Sequence, residues 1–170
     1  MHYLYRCLLG RNIVVPIASK PRHILDVGTG SGRWAIEVAD QYEDANVVGL
    51  DLSPTSPSYE VPDNCEFIVA DLTEGLCFDE GSIDLVHSRC RAILCLSKLT
   101  NRIVTAGMMK HQWSPYMSEI YRVLKPGTGW TQCIEFQGHR FFSESSVPEN
   151  SALREVESSA FIANSSLIDI

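Results

Sequence analysis

The sequence predicts an α/β fold built on a doubly wound, mainly parallel sheet. Short apolar segments of strand length alternate along the chain with helical or turn segments. The first of these segments runs into the glycine-rich turn DVGTGSG (26–32), and a helical pattern follows directly. Aspartates also stand at the ends of three predicted strands. Parallel strands joined by right-handed crossovers bring such ends together at one edge of the sheet.

The predicted strands are short apolar runs bounded by glycine, proline or polar residues. Before them, residues 2–18 predict a short amphipathic helix followed by an extended segment at 13–16. Five runs have the length and composition of buried strands. They are residues 23–27, 47–51, 66–70, 83–87 and 130–136.

Two helices are predicted between these strands. One begins at Arg33, where large side chains recur at fourfold spacing (Trp34, Val38 and Tyr42). The other begins with Ser114 as N-cap and Pro115 in the first turn, and it ends before Pro126-Gly127. Trp34 and the apolar stripe at 116–124 are expected in the core.

Composition excludes several classes of protein. The chain has 170 residues, a net charge of −7 and 45% hydrophobic residues, which fits a single domain with one hydrophobic core. No apolar run reaches the roughly 18–20 residues of a membrane span, and an acidic chain lacks the charge of a DNA-binding surface. None of the six cysteines forms a C-x-x-C pair. We therefore expect reduced thiols in or near the core, no metal site, and a cytoplasmic or nuclear location.

The glycine turn is the most informative segment. A dinucleotide-binding turn needs glycine at position 33, where this chain has Arg33. Asp26 places a carboxylate before the turn, which disfavours a pyrophosphate and suits a cationic ligand. Asp51 and Asp71 end the second and third strands, where an acid can bind ribose hydroxyls or an exocyclic amine. The bland alternatives stay open: the glycines only shape a turn, and the two acids only cap turns.

Five segments together resemble the class I S-adenosylmethionine-dependent methyltransferases, and they are most similar to the fungal methyltransferases related to LaeA. The segments are ILDVGTGSG (24–32), VVGLDLSP (47–54), FIVADL (67–72), GSIDLVHSR (81–89) and EIYRVLKPGTGW (119–130). The resemblance implies a Rossmann-like core that binds S-adenosyl-L-methionine. The residues that it assigns to the cofactor are Asp26, Gly28, Thr29, Gly30, Gly32, Asp51, Leu52, Asp71, Leu72 and His87.

The resemblance also implies a site for chemistry after the fourth strand. His87 would start the active-site loop, and it is the candidate general base if the acceptor must lose a proton. Arg89 and Glu135 are further polar groups expected near this rim. His111 and Tyr116 are expected to line the acceptor pocket. The predicted reaction is methyl transfer to a small-molecule acceptor in secondary metabolism.

The chain departs from the family pattern in three regions. Residues 1–22 form the N-terminal segment, and residues 23–136 form the core. Within the core, residues 91–105 are an insertion that is expected as an extra apolar helix or as non-homologous sequence. Residues 137–170 form a polar tail, partly helical near 152–163 or disordered, so the last two strands of the family's sheet are expected to be missing. The fifth strand would then be an open edge for a protein partner. Two rival functions remain: a dinucleotide-dependent oxidoreductase and a non-catalytic regulatory protein.

Overall fold

The structure is a computed structural model that describes residues 2–89, 92–96, 103–107, 113–136 and 158–164. Three α-helices and a short 3₁₀ turn lie in these ranges: α1 (His2–Leu9), α2 (Arg33–Gln41), α3 (Trp113–Val123) and the turn Leu72–Glu74. Eight strands accompany them. They are β1 (His23–Val27), β2 (Asn46–Asp51), β3 (Cys65–Val69), β4 (Leu85–Arg89), β5 (Ala92–Leu96), β6 (Ile103–Gly107), β7 (Trp130–Phe136) and β8 (Ser158–Asn164).

The described strands form one six-stranded sheet and one hairpin. The sheet order is β3-β2-β1-β4-β7-β8, and its first five strands are parallel. The order reverses between β1 and β4, so the crevice of such a sheet lies at the carboxyl ends of these strands. The doubly wound, mainly parallel sheet predicted from the sequence is confirmed.

The open edge expected at the fifth parallel strand is not present. Strand β8 pairs antiparallel with β7 over seven residue pairs, from Trp130↔Asn164 to Phe136↔Ser158. The expectation that both last strands are missing is therefore wrong for one of them, and this chain itself covers β7. The helix predicted near 152–163 is also wrong over 158–163, where the backbone is extended. Residues 152–157 lie outside the described ranges.

The segment predicted as an apolar helix at 91–105 forms a hairpin instead. Strands β5 and β6 pair antiparallel from Ala92↔Gly107 to Leu96↔Ile103. The first strand has the sequence AILCL. A short apolar run of this kind is compatible with a strand and with a buried helix. Pairing with a second β-branched run, IVTAG, settles the difference.

The core lies on both faces of the sheet. Helix α2 covers one face, where Trp34, Val38 and Ala39 pack on Val47 and Ile24. Helix α3 covers the other, where Tyr116, Ile120 and Val123 pack on residues such as Leu25 and Val86. The predicted core roles of Trp34 and of the stripe in α3 are confirmed, since Trp34, Tyr116 and Ile120 are 2% exposed or less.

Smaller predictions need correction at element ends. Helix α3 begins at Trp113, so Ser114 lies inside its first turn and is not the N-cap. Ile83 precedes β4 and forms a single bridge to Leu124.

Cys65 and Cys133 are buried as expected, but Cys7 and Cys77 are exposed. Within the described part of the chain, the helices are too short or too polar to cross a bilayer.

Candidate functional site at the carboxyl edge of the sheet

The glycine turn between β1 and α2 exposes bare backbone at the edge of the sheet. Gly28, Gly30 and Gly32 have φ angles of 77°, 59° and 74°, which side chains disfavour. The amides of Gly28 and Thr29 both donate to the carbonyl oxygen of Leu50, at 2.7 and 2.9 Å. These two bonds fasten the turn to the end of β2. A Cβ at Gly30 would meet no atom within 4 Å, so the backbone there is open to a ligand.

Asp51 ends β2 beside this turn. Its Oδ2 accepts the Gly30 amide at 2.9 Å, and its Oδ1 accepts the Ser53 amide at 3.2 Å. The side chain therefore caps a turn, as the bland alternative expected. It also stands at the predicted strand end, half-buried, with two oxygens that can accept more than one hydrogen bond each. The two roles are compatible.

Exposed aliphatic side chains flank Asp51. Leu52 follows Asp51 in the chain and is 67% exposed. Val69 is the register partner of Asp51 on β3 and is 57% exposed. Asp71 is exposed two residues beyond β3, whereas Leu72 is buried at the start of the 3₁₀ turn. The Ala70 amide donates to the Asp51 carbonyl at 2.9 Å and holds these two strand ends together. Val69 was missed by the sequence reasoning, although the parallel register places it opposite Asp51.

Phe67 on β3 supports the turn from below. A Cβ at Gly32 would lie 2.6 Å from Cζ of Phe67, and one at Gly49 would lie 2.6 Å from its Cδ1. The ring therefore occupies the space that side chains at both positions would need. Glycine inside a strand commonly marks such a close approach, so Gly49 was the available signal for this contact.

Asp26 does not present its carboxylate to the edge. It is 3% exposed, and Oδ2 accepts the Thr29 hydroxyl at 2.7 Å while Oδ1 lies 2.8 Å from Nδ1 of His87. The side chain points into the sheet face that α2 covers, because alternate residues of a strand share a face and Ile24, two residues earlier, packs under α2. Of the three aspartates expected at the edge, Asp51 and Asp71 lie there and Asp26 lies beneath it.

His87 does not start a loop. It lies in the middle of β4, is completely buried, and stacks on Trp34 with ring centroids 3.7 Å apart and planes 5° apart. Burial lowers the pKa of His87, and this effect outweighs the hydrogen bond and charge of Asp26, which raise it. A neutral, sealed imidazole has no route to an acceptor in this conformation.

The other residues expected near the acceptor are dispersed. Arg89 ends β4, where its Nη2 lies 3.2 Å from Nδ1 of His2. Tyr116 is 2% exposed and packs in the core of α3, so it does not line an open pocket. His111 and the side chain of Glu135 lie outside the part of the chain that the structure describes.

Arg33 shapes the start of α2. Its guanidinium lies 3.9 Å from the ring centroid of Tyr59 and donates from Nε to Glu37 at 2.8 Å. Glu37 also accepts from Asn12 and pairs with His2 of α1 at 3.1 Å in each case. A dinucleotide-binding turn has glycine at this position so that its helix and strand can pack closely. Here a large side chain fills it, which argues against the oxidoreductase.

No metal-binding group was found in the described ranges: three or more His, Cys, Asp or Glu side chains do not come together there. The carboxyl edge instead combines an acid at a strand end, open glycine backbone and exposed aliphatic side chains. The parallel strands in the order β3-β2-β1-β4-β7, with β8 antiparallel at the edge, form the Rossmann-like core expected from the resemblance to the class I methyltransferases.

The sequence matches the methyltransferase domain family over residues 24–127, and the chain belongs to this family. It is 35% identical over 144 residues to the secondary metabolism regulator LAE1 of Cochliobolus heterostrophus, covering 82% of this chain and 42% of that protein. It is 30% identical over 165 residues to the methyltransferase pytC of Aspergillus terreus, covering 96% of this chain and 45% of that protein. The chain thus spans less than half the length of these relatives.

Solved structures share the fold. A chain of the complex between the Haloferax volcanii Trm112 methyltransferase activator and a methyltransferase superposes with a TM-score of 0.55 at 27% identity, covering 77% of this chain and 50% of that one. Geranyl diphosphate C-methyltransferase from Streptomyces coelicolor, solved with S-adenosyl-L-homocysteine, gives a TM-score of 0.54 at 17% identity, covering 79% and 45%. The resemblance predicted from the five sequence segments is confirmed.

Proposed function

We propose that this chain binds S-adenosylmethionine at the carboxyl edge and directs its methyl group to a small-molecule acceptor. The observation that carries the proposal is the placement of Asp51 beside the open backbone of Gly30, with Leu52 and Val69 exposed on either side. A carboxylate at this strand end suits ribose hydroxyls, and the two aliphatic side chains suit the faces of an adenine ring.

The charge of the edge supports a nucleoside without phosphate. Asp51 and Asp71 would repel a pyrophosphate, whereas the sulfonium and ammonium of S-adenosylmethionine are cations. The bound cofactor would supply an activated methyl carbon. The protein's own contribution is then orientation: the turn 28–32 and Asp51 hold one reactant in place for an in-line displacement, which supplies several kcal/mol of the barrier reduction.

The acceptor is proposed from the relatives alone. One fungal relative is named a secondary metabolism regulator and another a methyltransferase, and these names favour a small metabolite as the acceptor. A second candidate function is a regulatory protein that binds the cofactor without turnover. The burial of His87 favours it, because this was the candidate base among the predicted site residues.

Cofactor binding is tested by calorimetric titration of the purified chain with S-adenosylhomocysteine, followed by Asp51→Ala. We expect the variant to bind at least tenfold more weakly, about 1.4 kcal/mol, because it loses charged hydrogen bonds to the ribose. Asp44→Ala is the matched control, since this aspartate is exposed and pairs with Lys20 at 3.7 Å, away from the carboxyl edge. Unchanged affinity in Asp51→Ala would remove the assignment.

Two further measurements separate the rival functions. Titration with NADH, followed by its fluorescence, should show no binding if the site is built for a cationic nucleoside. Incubation with methyl-labelled S-adenosylmethionine and a fungal metabolite extract should label a small molecule. Cofactor binding without any transfer, joined with capture of a defined protein, would favour the regulatory protein.

A further inference from the structure

Three polar side chains lie side by side inside the central sheet. Asp26 of β1 is the register partner of His87 on β4, and His87 is the partner of Gln132 on β7. Paired residues of parallel strands point to the same face, here the face that α2 covers. Their exposed fractions are 3%, 0% and 0%. Buried polar groups cost stability unless they are hydrogen-bonded, so a row of three calls for an explanation.

The contact between His87 and Asp26 defines where the histidine proton resides. Nδ1 of His87 lies 2.8 Å from Oδ1 of Asp26. The other carboxylate oxygen accepts the Thr29 hydroxyl. Because a carboxylate only accepts hydrogen bonds, we assign the donor role in the contact with Asp26 to Nδ1 of His87. Nε2 of His87 is buried and has no hydrogen-bond partner among the described residues. Together these contacts describe a neutral imidazole protonated at Nδ1.

The bond from His87 continues into the glycine turn. Asp26 joins Nδ1 of His87 to the hydroxyl of Thr29, and the Thr29 amide donates to Leu50 at 2.9 Å. Thr29 is followed by Gly30, whose open backbone lies at the proposed cofactor site. A group that orients Asp26 therefore acts on the position of this turn.

The surroundings keep the imidazole in one orientation. Trp34 stacks flat on it, and the indole Nε1 donates to the Asn12 carbonyl at 3.1 Å. Gln132 is the neighbour of His87 on β7, across from Asp26. Its Nε2 donates to the same Asn12 carbonyl at 3.0 Å, and its Oε1 accepts the Val14 amide at 2.8 Å. The extended segment after α1 thus closes over the row and excludes water from it.

We propose that His87 is a positioning residue: its Nδ1–H holds the Asp26 carboxylate so that Thr29 keeps the glycine turn in the geometry that binds the cofactor. The inference rests on the proposed function, and it assigns to His87 a role that needs no contact with acceptor or cofactor. It also explains why the core holds a histidine whose Nε2 has no partner among the described residues: the Nδ1–H is the part that the turn requires.

Two substitutions separate the hydrogen bond from the ring. His87→Phe keeps an aromatic ring against Trp34 but removes the donor, whereas His87→Asn keeps an N–H near the Nδ1 position but removes the ring. We expect His87→Phe to weaken S-adenosylhomocysteine binding at least tenfold and His87→Asn to stay within about threefold of wild type. Thermal melting of the free variants reports any loss of folding separately. Equal affinities for wild type and His87→Phe would overturn the proposal.

A second pair tests the other end of the connection. Thr29→Val removes the hydroxyl that Asp26 accepts, and Thr131→Val is the matched control. Thr131 is also buried but lies on the opposite face, where its hydroxyl donates to the Val86 carbonyl at 3.3 Å. We expect weaker cofactor binding only in Thr29→Val. If His87→Phe does not fold, the threonine variants still test the proposal. Weaker binding in Thr29→Val with unchanged binding in Thr131→Val supports it, and equal affinities in the two variants contradict it.

Measurements on the free protein distinguish a failure of this inference from a failure of the proposed function. Nitrogen-15 NMR of the imidazole should show a protonated Nδ1 and an unprotonated Nε2, and a protonated Nε2 would overturn the proposal. Amide exchange at Gly28 and Thr29 should accelerate in His87→Phe more than in His87→Asn. If wild type failed to bind S-adenosylhomocysteine while these two results held, the proposed function would fail and the positioning of the turn would stand.

Discussion

The two ends of the parallel sheet carry aspartates in very different surroundings. At the amino end, Asp84 accepts from Lys125 Nζ through both oxygens at 2.8 Å, and from the amides of Arg22 and His23 at 2.8 and 3.0 Å. At the carboxyl end, Asp51 accepts from two amides, and the described residues supply it with no cation. Both acids lie at sheet ends, but only one of them has its charge neutralised.

This difference separates an acid that holds the fold from one whose proposed role is to bind a ligand. A carboxylate with a cationic partner and two amides has its acceptor sites filled, and it fastens the entry to β1 to the end of α3. Asp51 shapes a turn with part of its hydrogen-bonding capacity, and in the proposed function the remainder binds the cofactor. The amino end should therefore govern stability, and the carboxyl end should govern binding.

The largest effect is expected at the amino end. Asp84→Ala removes all four of these hydrogen bonds, so we expect the free energy of unfolding to fall by about 2–3 kcal/mol. Urea denaturation measures this loss. Titration of the folded variant with S-adenosylhomocysteine should give the wild-type affinity. Weaker binding without loss of stability would reverse the roles assigned to the two ends.

A smaller loss is expected from Gly49→Ala in β2. The added Cβ would lie 2.6 Å from Cδ1 of Phe67 and 2.9 Å from Oγ1 of Thr29, and overpacking of this kind costs about 1–3 kcal/mol. Because Thr29 is displaced, cofactor affinity should fall as well. The double variant Gly49→Ala with Phe67→Leu should recover part of the stability. If the stability losses of Gly49→Ala and Phe67→Leu simply add in the double variant, the two positions do not compete for the same space.

The smallest effect is a dependence of stability on acid pH at the amino end. Burial raises the pKa of Asp84, but hydrogen bonds from Lys125 and from the His23 and Arg22 amides outweigh it, so the folded-state pKa lies below its ordinary value. The stabilisation is therefore present above about pH 4 and is lost as the pH falls through the folded-state pKa. Urea midpoints measured across this range should fall less steeply in Lys125→Met than in wild type. Parallel curves for the two proteins would contradict this assignment.

The local sequence predicted much of the site, but it did not predict which of the site's side chains are buried. The strand–turn–helix at 23–41 and the acid at the end of β2 are local features, because apolar runs and glycines fix short-range conformation. The burial of Asp26 depends on the packing of α2 over its face of the sheet and on its register with His87 of β4, which the sequence does not state. For the same reason His87 was expected at a loop and lies inside a strand.

By itself, the sequence determined the family, the succession of the five parallel strands along the chain and the strand end at which Asp51 stands, since these depend on patterns within a few residues. The tertiary structure alone decided that residues 158–164 cover β7, that 92–107 form a hairpin, and that His87 bonds to Asp26 beneath the glycine turn. Each of these is a contact between distant segments. A short apolar run or a single polar residue satisfies several such contacts equally well until packing selects one.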